Sequence, residues 1–407
     1  MPVPATRLVP STGTERIELI DALRGFALAG VLLANLDPLS LYYFLDEAAR
    51  ARLPTAGFDM WAAYATNLLV TGKFITLFSL LFGFSFSVQL ERARAKGAGL
   101  APYLRRIAVL LLIGCLHTYL LWWGDILLVY ALLALALVAF LPVPDRWLLI
   151  TGLVLALSWP LAKPLVEQMQ PPGLASEAQM HATSLAAFSS DSVAAAFTQN
   201  IAFANWNRWA SWGVLPFVFA DFLLGYWAGR KRLLHEPLTH TALLRTLVLA
   251  GGLAGLVASV AAPRLEASSA AAEGLGAVAL TGLGVVLERL GPLGLGCAYA
   301  AGFALLFQRP AWQRWLRWLA PVGRMALTNY LIQTPVCLAL FYGIGLGFGP
   351  AGGYPGRFTA WALIFAAQVA FSHWWLARYR FGPVEWVWRS ATYGRAQLLR
   401  REPAILP

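Results

Sequence analysis

The chain has 407 residues, 59% of them apolar and only 13% charged, a balance that excludes a water-soluble enzyme of this size and makes lipid the main solvent. A net charge of +11 does not describe a nucleic-acid surface, because the basic residues form no continuous patch and recur between apolar runs. The 17 Trp, 13 Tyr and 23 Phe suit a membrane interface, where a ring with a polar tip sits at headgroup level.

Residues 1–17 read as a flexible cytoplasmic N-terminus. The first apolar run, 18–36, carries Asp21 and Arg24 and lacks a small-residue cleavage site, so it reads as a retained signal anchor. Asp21 and Arg24 share a helix face, and Asn35 lies eleven residues beyond Arg24, three turns further on. This spacing fits two readings: a polar path along one face, or an intrahelical ion pair followed by a helix-ending Asn. Further runs long enough to cross about 30 Å of hydrocarbon fall at 72–90, 104–122, 125–142, 147–166, 210–229, 243–262, 290–308, 322–344 and 358–377. The expected fold is therefore all-α, a polytopic transmembrane bundle of about ten spans over 18–380, with segments 57–70 and 270–287 leaving the count open.

With both termini cytoplasmic, the inside segments hold 21 Lys and Arg against 7 outside, which selects that orientation. Three more basic residues, Arg24, Lys73 and Arg324, fall within or at the ends of spans. An ionisable residue there costs about 2.5–3.5 kcal/mol at mid-bilayer by insertion scales and needs a partner, a cavity or water. Lys73, trailed by Thr76, Ser79 and Ser85, reads either as a snorkelling anchor or as a substrate contact.

The third and fourth spans form a tight hairpin through Gly114 to Asp125, which brings His117 and Asp125 to its outer end. An imidazole beside a carboxylate suits a general base held in one tautomer; an interhelical donor and a helix cap fit equally. Outside loop 167–208 opens with Pro171, Pro172 and Gly173, and its later apolar positions fit an interfacial helix. In the ninth span Asn329 and Gln333 share a face, with Tyr330 beside them and Arg324 before them. These groups suit a lined cavity with Arg324 holding a phosphate, or polar glue with a snorkelling anchor. The tail 381–407 is basic, and Gly382-Pro383-Val384-Glu385-Trp386 suits the start of an interfacial helix.

Cys115, Cys297 and Cys337 sit in apolar runs without metal or disulfide spacing, and no metal is expected. There is no phosphate-binding G-x-x-x-x-G-K-[ST] loop, no G-x-S-x-G elbow and no H-E-x-x-H. ATP-driven transport by this chain alone is not expected.

The motifs Asp21-x-x-Arg24-Gly25, Lys73-Phe74 through Phe82-Gly83, His117 to Gly124-Asp125, Gly323-Arg324-Met325-Ala326-Leu327-Thr328-Asn329-Tyr330 and Gly382 to Trp386 together resemble the YeiB-like family of bacterial inner-membrane proteins, a domain-of-unknown-function family. More distantly, the first span resembles those of heparan-alpha-glucosaminide N-acetyltransferase and the bacterial membrane O-acyltransferases, with an Arg-Gly opening and a polar residue eleven positions on. Those relatives carry a histidine at or shortly after that position. This chain has Asn35 there and no histidine in 36–60, so a base would come from another helix.

The resemblance implies an acyltransferase-like fold in the bacterial cytoplasmic membrane. It also implies transfer from cytoplasmic acyl-CoA, such as acetyl-CoA, to a glycan or lipid acceptor presented outside. On this reading His117 is the base, Asp125 its orienting partner and Asn35 a donor to the oxyanion or acceptor. Arg24 and Arg324 hold CoA phosphates, and Asp21, Lys73, Asn329, Tyr330 and Gln333 contact substrate. Rival readings are a proton-coupled transporter and a non-catalytic membrane scaffold, and oligomeric state is open.

Overall fold

Apolar helix-forming runs broken by Gly, Pro and charged turns leave the backbone only one arrangement in lipid, a bundle whose hydrogen bonds close within each helix. The computed structural model describes residues 17–95, 97, 99–158, 171, 173–211, 214–270 and 274–401, and among these the only β pairing is an isolated bridge between Tyr379 and Arg400. Residues 1–16 of the expected N-terminal segment 1–17 and the last residues of the tail lie outside the described residues.

The chain opens with α1 (Glu18–Leu39), then the short α2 (Glu47–Ala51) and α3 (Ala56–Leu69). A turn through Gly72, at φ +79°, joins α3 to α4 (Lys73–Ala95). The hairpin α5 (Ala101–Leu120) and α6 (Leu127–Val138) precedes α7 (Asp145–Ser158). Next come α8 (Glu177–Ser189), α9 (Val193–Ser211) and α10 (Leu215–Arg230). A π-helical turn at Leu247–Gly251 joins α11 (Thr241–Thr246) to α12 (Gly252–Ala270), which pairs with the long α13 (Gly274–Phe307). The chain ends with α14 (Pro310–Leu316), α15 (Ala320–Arg324), α16 (Ala326–Phe341), α17 (Gly353–Arg378) and α18 (Pro383–Tyr393).

Among the described residues, six stretches are long and apolar enough to cross a membrane: Glu18–Leu39, Ala56–Ala95, Ala101–Leu120, Thr241–Ser269, Gly276–Phe307 and Gly353–Arg378. At the other four expected positions stand α6, α7, α10 and α16, of 12, 14, 16 and 16 residues. At about 1.5 Å per residue these reach only about 18–24 Å. For α7 the rest of the expected run lies outside the described residues. Of segment 270–287, residues 274–287 form the start of α13, and 57–70 is the separate helix α3. Large apolar side chains such as Leu112, Leu249, Leu253, Val257 and Leu363 stand exposed around the outside, as a lipid-facing surface requires.

α1 lies at the centre, with Leu23, Ala27, Leu28, Leu32 and Leu36 fully buried. Two crossings depend on glycine. A Cβ on Gly323 would overlap the carbonyl of Asp21 and one on Gly25 that of Leu319, so α15 lies directly on α1. Likewise Gly83 and Gly225 let α4 and α10 touch backbone to backbone. The end of the bundle where α1 begins and α18 lies is called the basic face below, and the opposite end the far face. Within segment 167–208, expected to hold an interfacial helix, α8 and α9 cap the far face, with Phe188 and Phe203 fully buried among Phe44, Trp122, Trp123 and Phe341.

Candidate functional site

The α5–α6 corner is drawn tight by Asn200 of α9. Its amide nitrogen donates to the carbonyls of Thr118 (3.0 Å) and Tyr119 (3.2 Å), and its oxygen accepts from the Trp123 N–H (2.7 Å). The corner brings together His117 and Asp125, with Nδ1 to Oδ1 at 2.8 Å and both side chains almost fully buried. Asp125 also accepts from the hydroxyls of Tyr330 (3.2 Å) and Thr118 (3.3 Å) and from the Leu128 N–H (3.0 Å), which begins α6. His117 Nε2 lies 3.0 Å from the Thr334 hydroxyl. With its Nδ1 proton directed at a carboxylate, the neutral imidazole accepts from Thr334 at Nε2.

Beneath this pair, two adjoining cavities of about 240 Å³ each run from the basic face into the bundle. Five arginines line them, Arg24, Arg92, Arg106, Arg324 and Arg389, against the two carboxylates Asp21 and Glu385. The deep end is mostly apolar and reaches Asn35, Gly124, Tyr130 and Tyr330. Arg24 spans α1 and α4, donating from Nη1 to Asp21 at 2.9 Å and from Nη2 to the Ser85 hydroxyl at 2.6 Å. The Arg106 guanidinium lies 3.8 Å from the centre of the Trp388 ring, whose indole N–H donates to the Arg106 carbonyl (2.9 Å).

The cavity wall is closed by a broken helix. α15 ends at Arg324, Met325 leaves helical geometry at ψ 31°, and α16 restarts at Ala326. The exposed N-terminus of α16 is capped from a distance by Glu385, whose carboxylate accepts from the Thr328 N–H (3.0 Å) and the Thr328 hydroxyl (2.5 Å). A negative group there complements the helix dipole. Burial pushes the Glu385 carboxyl above the ordinary glutamate range, and the hydrogen bonds from Thr328 oppose that shift. Irregular backbone at membrane depth is tolerated where it lines a cavity in this way.

Of the residues singled out in the sequence, Asp21, Arg24, Asn35, Arg324 and Tyr330 line the cavity together. His117 and Asp125 stand one layer behind it, joined to it by Tyr330. Asn329 and Gln333 turn to α17 instead. Asn329 Nδ2 donates to Ser372 (3.0 Å), Gln333 Nε2 donates to Gln368 Oε1 (3.0 Å), and Gln368 Nε2 donates to the Asn329 carbonyl (2.7 Å). Lys73 is remote from this cavity and gives its ammonium to the Asn67 carbonyl at 2.6 Å, tying α4 to the end of α3.

Sequence reasoning missed Arg106 and Arg389, counted only as topology-setting charges, and Glu385, read as part of a surface tail. Spacing could not reveal Glu385, which meets Thr328 across 57 residues. It also missed the buried ion pair of Arg289 and Asp221 (2.5 Å), which joins α13 to α10 with Thr76 as a third partner.

Residues 228–395 match the family model described as a protein of unknown function, DUF418. The chain is 34% identical to the uncharacterized protein YxaH of Bacillus subtilis over 95% of its own length and 96% of that protein. It is 30% identical to the uncharacterized protein YeiB of Escherichia coli, covering 93% and 96%, and 30% identical to an uncharacterized 39.9 kDa protein of Bacillus acidopullulyticus, covering 94% and 95%. No solved structure matches.

Proposed function

The chain belongs to the family of membrane proteins that includes YeiB and YxaH, and from that premise we propose that it is a membrane acyltransferase drawing on cytoplasmic acyl-CoA. One observation carries this reading: a cavity with five arginines toward the basic face and an apolar deep end that stops at Asn35 and Tyr330. A polyanionic donor with a short acyl arm matches that gradient, its phosphates meeting guanidinium forks and its thioester entering the dry end. The excess of Lys and Arg around the basic face makes that face cytoplasmic.

In the transfer step an acceptor O–H or N–H adds to the thioester carbonyl and gives up its proton, the C–S bond breaks, and the leaving thiolate takes that proton back from Asp125 through Tyr330. The Asn35 amide is the donor to the oxyanion. Tyr330 passes the acceptor's proton toward Asp125, which His117 and Thr118 hold in place. Because His117 has both ring nitrogens engaged, its role is to orient Asp125 and not to meet substrate.

Purified protein in nanodiscs, titrated with acetyl-CoA by calorimetry and followed for free CoA, tests the proposal. Binding that is lost in Arg324→Ala, with hydrolysis or transfer lost in Asp125→Asn, supports it. Failure of acetyl-CoA and longer acyl-CoAs to bind overturns it. Proton-coupled transport is the second reading, favoured by the break between α15 and α16, a feature that transporters use at their binding sites. Flux driven by a pH gradient without CoA binding would select it.

A further inference from the structure

Arginine meets aromatic rings at both ends of the bundle, in two different states. At the far face Arg357 is 4% exposed, pairs with Asp37 and lies 3.4 Å from the centre of the Tyr354 ring, inside an aromatic pocket between the ends of α1 and α3 and the start of α17. Its charge is met within the protein. At the basic face the run Arg309–Trp318 turns both its rings and its charges outward.

This run follows the end of α13 at Phe307 and consists of α14 and a 3₁₀ turn, Arg317–Leu319, which leads straight into α15. Trp312, Trp315 and Trp318 recur every third residue, a spacing that places side chains on one face of a tight helix, and they are 51%, 62% and 59% exposed. Arg309, Arg314 and Arg317 stand exposed among them, with the Arg314 guanidinium 5.3 Å from the centre of the Trp315 ring. Packing fixes the platform beneath. The Leu319 carbonyl lies against Gly25 of α1, and His373 of α17 donates from Nε2 to the Trp318 carbonyl at 3.0 Å.

The level of the run in the membrane follows from its neighbours. Here α13 ends and α1 begins, with Arg317 meeting Glu18 at 2.8 Å, so two helices of membrane-crossing length have their ends at this height. That is the depth at which an indole puts its ring toward acyl chains and its N–H toward headgroups. Three indoles this exposed need a cover, and at this level lipid supplies it.

Charge narrows the class of lipid. No Asp or Glu occurs between residues 289 and 384, and the ion pair of this run is that of Arg317 with Glu18. Arg309 and Arg314 add positive potential, which an anionic headgroup meets without bringing a cation of its own. A guanidinium takes phosphate oxygens through its fork while the neighbouring ring takes the acyl boundary, so a single phospholipid engages both kinds of side chain. A soluble anion meets the arginines alone and gains nothing from the rings.

We infer that the Arg309–Trp318 run is a binding surface for an anionic phospholipid, held as a partner of the basic face and not as an acceptor. The inference goes beyond the acyltransferase reading and does not rest on it. Full-length protein in detergent micelles is titrated with phosphatidylglycerol or with phosphatidylcholine of the same acyl chains, and the lipid retained is read by native mass spectrometry.

Phosphatidylglycerol is expected to bind roughly tenfold or more tightly than phosphatidylcholine. Arg309→Gln combined with Arg314→Gln weakens it by roughly tenfold or more, and Trp315→Ala by about threefold or more. Arg395→Gln, which removes an exposed arginine of the tail, changes it by less than about twofold. Monodisperse elution of each variant separates lost binding from lost folding. The inference is overturned if phosphatidylglycerol binds no more tightly than phosphatidylcholine, or if inorganic phosphate at equal concentration displaces the bound lipid, which would make this a site for a free anion. It is equally overturned if the double arginine variant and Trp315→Ala, both folded, keep the affinity of wild type.

Discussion

Asp125 is the most heavily engaged side chain near the cavity, accepting from His117, Tyr330, Thr118 and the Leu128 N–H at once. Replacing it by Asn would put a donor where several donors already converge and would reverse the tautomer of His117. Under the proposed transfer, Asp125→Asn lowers turnover by about 10³–10⁴-fold with acyl-CoA affinity unchanged, measured as release of free CoA beside calorimetry. Tyr330→Phe keeps the ring and removes the one hydroxyl between the cavity and Asp125, so it lowers turnover by about 10²–10⁴-fold. A Tyr330→Phe variant with undiminished turnover would rule out proton passage by this route. The His117–Asp125 pairing was legible in the sequence because eight residues around a tight corner bring them together. Thr334, 217 residues from His117, was not, since spacing carries no information across separate helices.

At the scale of elements, α18 acts as a distant cap on α16, and the acid that does so is buried. A carboxyl whose folded-state affinity for protons is raised favours the folded state when protonated. Its contribution is therefore most favourable in acid and declines as pH rises from the ordinary glutamate range through the raised value. The thermal midpoint of wild type relative to Glu385→Gln should accordingly fall over that interval in a scanning-fluorimetry series, and a constant difference would contradict the assignment. Thr328→Ala removes a hydroxyl bond to the cap and should destabilise by about 0.5–2 kcal/mol. Gly323→Ala forces a methyl group into the α1 backbone and should destabilise by about 1–3 kcal/mol, seen as a lower midpoint in the same assay. The positions of α1, α4, α5 and α17 were legible from apolar runs alone. The break at Met325 was not, because the run 322–344 stays apolar through it and the groups that stabilise the break come from α17 and α18.

Across the whole molecule, charge and apolar surface are arranged along one axis: arginines crowd the cavities at the basic face, and an aromatic pocket holding a neutralised ion pair opens at the far face. If the basic face is cytoplasmic, a green fluorescent protein fused after residue 407 fluoresces and an alkaline phosphatase fused there stays inactive; the reverse pattern would invert the topology. Under the proposed transfer, acyl-CoA affinity should also weaken between low and physiological salt, because the arginine cluster would draw that donor partly through charge. The multipass, all-helical character was readable from composition. The number of full crossings was not, since a 12-residue α6 and a divided ninth segment satisfy the same hydropathy pattern as longer helices once the protein itself covers their ends.

The docking of α18 also has a consequence for synthesis. Pro383–Tyr393 leave the ribosome after helices α1–α17, yet Glu385, Trp388 and Arg389 form part of the cavity wall. A nascent chain can thus be fully inserted while its cavity still lacks one side. Competence is withheld until α18 has emerged, so a chain cut short after α17 would occupy the membrane without an intact chamber.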